Sequence, residues 1–199
     1  MALVLAVLEH ECGHVLHDPL WLTRPRVRVG PWWDKVAEYY LREGRMERQA
    51  VRSGAEGRRE RLRLAFAGVA GWDVGSWPTA FAAGEHLVCL VGRIAAGVID
   101  EEEVPATLAV LTRAVGKRFA ARVREVAEVG VALPRRRAGR MLEIAAGIGG
   151  PPRRFVARSV DEGLRAAAEA EMERLAAEGL RATRRDVAWV EEAMRGAGS

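Results

Sequence analysis

The sequence predicts an all-α fold, mostly helical with little or no sheet, built on an antiparallel helix pair within a helical bundle. Three observations predict it. Ala, Arg, Leu, Glu and Gly dominate the 199 residues while Val/Ile runs are few, a composition that favours helix over strand. Nearly half the residues, 49%, are hydrophobic, enough to form a core and to exclude wholesale disorder. Prolines and glycines fall in clusters that punctuate segments of helix length.

Taken in order, Met1 to His17 carries helix formers without proline, and Asp18-Pro19 ends it. Leu20 to Trp33, with Pro25, Gly30 and Pro31, reads as a loop or short extended stretch. Asp34 is the expected N-cap of a helix running to about Ser53-Gly54. A third helix spans Glu56 to about Val69, and Gly71 to Pro78 forms a turn holding Trp72 and Trp77. Thr79 to Val98 is the most apolar segment, hence a central buried helix. Asp100 to Glu103 place acids at the positive end of the next helix. Further helices are expected at 117–130 and 134–147. Gly149-Gly150-Pro151-Pro152 is the clearest linker. Beyond it, 159–178 and 182–195 read as two charged amphipathic helices broken at Gly179. The expected organisation is a helical domain over 1–148, a Gly/Pro linker over 149–158, and C-terminal helices over 159–199.

Basic and acidic residues number 31 and 27, a net charge of +4, and only Lys35 and Lys117 are lysines. Arg and Glu interleave on most segments, which reads as solvated helix surface. Only Arg135, Arg136, Arg137 and Arg140 form a uniform basic cluster, so nucleic acid is not the expected partner, and a DNA-associated helical protein is an alternative resting on that cluster. Two distant cysteines, Cys12 and Cys89, make no disulfide framework and suit a reducing compartment. The apolar run at Met1 to Leu8 lacks a basic lead and a cleavage site and is too short to span a bilayer. A cytoplasmic location without membrane contact is expected.

The chemistry concentrates in His10-Glu11-Cys12-Gly13-His14, a His-Glu-x-x-His segment on the first helix. Residues four apart on a helix are offset by only about 40°, so both imidazoles can reach one metal ion. Glu11 lies about 100° round from His10, beside the metal, where it can take a proton from an activated water. Leu3, Val7, His10, His14 and His17 recur at spacings of 4, 3, 4 and 3, so the histidines continue an apolar stripe and are expected to point inward, where they need partners. The next helix repeats that spacing with Val36, Tyr40, Glu43, Glu47 and Ala50, placing two carboxylates on its core-facing stripe. A zinc site needs a third protein ligand and leaves a fourth position to water. Either Glu43 or Glu47 supplies it, and the other hydrogen-bonds a ligand histidine from outside. His17, a turn beyond His14, reads as a supporting or helix-end residue or an alternative ligand. Tyr40 and its neighbour Tyr39 flank the site and are candidates to polarise a substrate carbonyl, against the plainer reading of core packing. Cys12, about 200° from His10, reads as a small core residue, and His86 as a satisfied core histidine.

His-Glu-x-x-His followed by Glu-x-x-x-Glu on a later helix resembles the gluzincin metallopeptidases. That resemblance implies Glu43 as zinc ligand and Glu47 as the acid that orients a zinc histidine. Leu8 to His17 (LEHECGHVLH), Leu41 to Ala50 (LREGRMERQA) and Val91 to Val104 (VGRIAAGVIDEEEV) are similar to the peptidase-like region of actinobacterial proteins associated with von Willebrand A-type domains, with Glu43, Arg45 and Glu47 matching a Glu-x-Arg-x-Glu segment. It covers roughly the first hundred residues. Glu47-Arg48-Gln49-Ala50 also resembles the acidic segment of ImmA/IrrE-type peptidases, which would make Glu47 the ligand. These resemblances imply a Zn2+-dependent endopeptidase acting on a polypeptide substrate, with Glu11 as general base and a von Willebrand A-type or other protein as partner. Zincins set a β-sheet before the motif helix, and an edge strand of it holds substrate. Here Met1 already falls inside that helix, which leaves three readings open: part of a longer chain, another mode of substrate binding, or a metal-stabilised interaction module that cuts nothing.

Overall fold

A computed structural model of the chain describes residues 2–17, 32–54, 57–69, 80–150 and 162–196. Eight α-helices and two 3-10 turns occur among them, and no strand. The helices are α1 (Ala2–His17), α2 (Trp32–Arg52), α3 (Arg58–Val69), α4 (Ala80–Ala96), α5 (Pro105–Val115), α6 (Lys117–Val131), α7 (Met141–Ala146) and α8 (Glu162–Gly196). The fold is all-α, as composition and patterning require. The expected turns at 71–78 and in the linker from Pro151 lie outside the described residues, as does most of the 20–33 stretch.

α4 is the buried centre. Leu87, Val88 and Leu90 are fully covered, and α4 packs against α2, α5 and α6. α2 and α4 approach closely because two glycines meet: a Cβ on Gly44 would lie 2.8 Å from the Gly92 carbonyl oxygen. That approach sets the charged residues of the two helices against one another. α1 lies on α2 and α3, and α3 runs along α8.

Several boundaries differ from the sequence reading, each for a local reason. Asp34 is not the N-cap: α2 begins at Trp32, and Asp34 sits in the first turn, where its charge favours the positive helix end. Trp33 is thereby helical and buried, its ring 5.7 Å from that of Phe119. Asp100 to Glu103 do not open α5. They close a 3-10 turn of their own over Glu101–Glu103, where the Asp100 backbone N–H donates to Glu103 Oε2 at 2.9 Å. Pro105, without an N–H, then starts α5. The expected helix at 134–147 divides into a 3-10 turn, Arg135–Arg140, and α7. Buried Ala138 and Met141 are three apart, a spacing that a 3-10 turn aligns on one side.

Gly179 does not break the last helix, since α8 is continuous from Glu162 to Gly196. A Cβ at Gly179 would lie 2.7 Å from the Glu60 carbonyl oxygen and 2.8 Å from Leu64 Cβ. The glycine is there for contact with α3, and its missing side chain lets two helix backbones approach. α8 also caps α5: Glu171 accepts from the Ala106 and Thr107 N–H groups, each at 2.8 Å, and from Thr107 Oγ1 at 2.7 Å. This carboxylate satisfies donors that a helix start leaves without internal partners.

Candidate metal centre

α1 buries a face of small residues. Ala2, Ala6, Gly13 and His14 are covered, whereas Leu3 of the expected stripe is 38% exposed and Val7 and His17 are half-buried. Burial follows size here, because small side chains let α1 settle closely on its neighbours. Cys12, expected in the core, is exposed. Glu9 secures the helix from the other side. It accepts from Arg58 Nε at 2.6 Å and from Arg61, which also pairs with Asp186 of α8. Burial would raise the Glu9 carboxyl, but Arg61 and Arg58 outweigh it and hold it below the usual range.

α1 and α2 run antiparallel: His10 reaches Glu47 and Glu43, while His14, a turn later, reaches Glu43. His10 Nε2 lies 2.9 Å from Glu43 Oε2, and His14 Nε2 lies 3.2 Å from Glu43 Oε1. One carboxylate thus faces both rings, which are 5.0 Å apart and perpendicular. Glu47 takes the far side of His10, with Oε1 3.3 Å from Nδ1. The candidate ligand atoms of His10, His14 and Glu43 all lie within 4.8 Å of one another. Glu43, Glu47 and His14 are 1–2% exposed.

The helix pairing brings together His10, His14, Glu43 and Glu47 as the spacing predicts. His17 stands apart from the cluster. Its carbonyl accepts from Arg45 at 3.0 Å, which ties the end of α1 to α2, and burial together with Arg58, Arg135 and Arg45 lowers its imidazole pKa. Glu11 is exposed and, with Tyr39 and Tyr40, lines a cleft of about 230 Å³ that opens onto His10 and Glu43. Burial, with Glu43 nearby, pushes the Tyr39 phenol to about 12, and burial raises Tyr40 as well, so both remain O–H donors at neutral pH. His86 is half-buried and held on the Ala82 carbonyl at 2.8 Å.

Arg93 and Cys89 of α4 complete the surroundings. Arg93 donates to Glu47 Oε1 at 3.1 Å and to the Cys89 sulfur at 3.0 Å, and its guanidinium lies 4.9 Å from the Phe66 ring centroid. Burial opposes its charge, yet Cys89, Glu47 and Glu43 hold its pKa above the ordinary value. Burial pushes the Cys89 thiol up to about 11, so it stays protonated. The sequence carries a signal for Arg93: it is the lone charge between Leu87 and Val98, in the segment expected to be most buried.

The charges set what the site needs. Among the described residues, the buried carboxylates Glu43 and Glu47 face the Arg93 guanidinium while buried Arg45 turns to the His17 carbonyl, which leaves one negative charge at the cluster to compensate. In the absence of metal a proton on His10 serves: burial disfavours it, but Glu43 and Glu47 raise the imidazole to about 10. The same two acceptor-rich helices fit a divalent cation, with two imidazole nitrogens and a carboxylate as donors and the cleft on the open side. No family model, curated protein or solved structure matches the chain. No helix among the described residues is long and apolar enough to cross a membrane.

Proposed function

We propose that the protein is a zinc-dependent peptidase whose metal is held by His10, His14 and Glu43. The observation that carries this reading is the convergence of two imidazoles and one carboxylate, largely buried, beside a cleft that also holds an exposed acid. Nitrogen and oxygen donors of this kind suit zinc, and three protein ligands leave room for substrate or water. Zinc bound there would polarise a carbonyl and bring the pKa of water toward about 7.

The chain's own residues divide the remaining work. Glu11, next to His10 and at the cleft, takes the proton from the attacking water on its carboxylate and passes it to the departing amine nitrogen. Glu47 accepts from His10 Nδ1 and so leaves Nε2 as the ligating nitrogen. Tyr39 and Tyr40 offer phenolic O–H donors on the cleft wall for the carbonyl oxygen of the scissile bond. Glu43 is the ligand and Glu47 the supporting acid because Glu43 alone lies against both histidines.

Cleavage of an unstructured polypeptide by purified protein, with and without chelator, tests this reading. Chelator-sensitive cleavage that zinc restores and Glu11→Gln abolishes supports it. Cleavage that survives chelation or the substitution contradicts it.

A second reading, a metal-stabilised interaction module, is favoured by the outer side of α1. Val4, Leu8, Val15 and Leu16 are each at least 54% exposed, and Leu5, Leu8 and Cys12 line an apolar groove between α1 and α8. A zinc-loaded protein that cuts nothing supports this second reading.

A further inference from the structure

Two acids lie within reach of His10, and only one can be the ligand if a position is to stay open for substrate. Glu47 is the surplus acid. It is 1% exposed, one helical turn from Glu43, and lines the same cleft. Glu47 meets His10 at Nδ1, behind the ring and outside the group formed by His10, His14 and Glu43. A buried carboxylate so placed is free to turn toward a divalent cation unless something else holds its charge. Arg93 occupies that role: its guanidinium donates to Glu47 Oε1 at 3.1 Å and is itself held by Cys89 and by the Phe66 ring. The Gly44–Gly92 approach makes the contact possible, because it brings α4 against α2 one residue before Arg93.

We infer that Arg93 is a positioning residue that restrains Glu47, keeping the metal centre at three protein ligands and its fourth position open. The inference rests on the proposed metal site and goes beyond it by assigning a determinant of coordination number on a third helix. Arg93 lies on the wall of the same cleft and acts through Glu47 rather than as a ligand. Without its guanidinium, Glu47 turns from His10 Nδ1 to the metal and closes the centre.

The test uses the full-length protein loaded with Co2+, whose visible absorption reports ligand number and type. Wild-type protein is compared with Arg93→Met, Arg93→Lys and the double variant Arg93→Met/Glu47→Gln, with helicity checked for each by circular dichroism. In Arg93→Met the cobalt spectrum shifts to that of a centre closed by four protein ligands and no longer responds to added azide. Zinc affinity is maintained or rises in that variant, while hydrolysis falls roughly 10–100-fold. Arg93→Lys, which keeps a cation beside Glu47, restores the wild-type spectrum, and so does the double variant, because a neutral amide no longer competes for the metal.

A wild-type spectrum and azide response in folded Arg93→Met overturn the inference, and so does a changed spectrum that the double variant fails to restore. If Arg93→Met does not fold, the double variant and Arg93→Lys decide, and an azide-insensitive closed spectrum in both overturns it. Wild-type protein that binds no cobalt overturns the metal reading itself, and this inference with it.

Discussion

Glu43 Oε2 lies 2.9 Å from His10 Nε2, and the same carboxylate turns its other oxygen to His14. A single acid on α2 thus joins the two histidines of α1, and Glu47 supports one of them from behind. The two acids should therefore respond differently to substitution. Glu43→Gln should abolish tight zinc binding, whereas Glu47→Gln should weaken it only about 10–100-fold. Competition titration against a chromophoric chelator measures both. Equal losses, or a larger loss in Glu47→Gln, would reverse the assignment of ligand and support.

The metal-free protein should have a stability maximum on the acid side of neutrality. Burial opposes charge on both groups, but hydrogen bonding raises His10 from 6.5 to about 10 and lowers Glu43 from 4.5 to about 2. The raised His10 contributes fully below 6.5 and its contribution is lost as pH rises toward 10. The depressed Glu43 contributes fully above 4.5 and its contribution is lost as pH falls toward 2. Both are present between 4.5 and 6.5. Thermal melting of chelator-treated protein checks this, and a maximum at alkaline pH would contradict it.

Zinc uptake should release protons. His10 holds a proton at neutral pH without metal and must give it up to ligate. Titration calorimetry in buffers of different ionisation enthalpy should show about one proton released from His10 per zinc at neutral pH. A binding enthalpy independent of buffer would show that no such proton is displaced.

Gly179→Ala should destabilise the protein although alanine is the better helix former. The propensity gain is about 1 kcal/mol in a helix interior. Against it stands a methyl group 2.7 Å from the Glu60 carbonyl and 2.8 Å from Leu64 Cβ, contacts that force α3 and α8 apart. Overpacking of this kind costs roughly 1–3 kcal/mol, so the net effect is a loss. A lower denaturation midpoint is expected, and a higher one would show that the helix contact yields.

The same glycine marks where the sequence stopped being informative. A glycine in a helical pattern signals either a break or a close contact, and only the position of α3 decides between them. The core acids on α2 were legible because a charge on an apolar stripe demands a partner, and an antiparallel pairing with α1 sets those acids opposite the histidines. The buried face of α1 was less legible. Hydrophobicity pointed to Leu3 and away from Ala2 and Ala6, whereas close packing selects the small residues. Arg93 stands out as the lone charge of its apolar segment, but its partner Glu47, 46 positions away, lay beyond local patterning.

The central claim is that His10 and His14 hold a metal ion. The direct measurement is elemental analysis of purified wild-type protein beside His10→Ala and His14→Ala, after equilibration with zinc and desalting. The account predicts about one zinc per wild-type chain, as a three-ligand site requires, and little in either variant. Wild-type protein without zinc, or variants that retain it fully, would contradict the account.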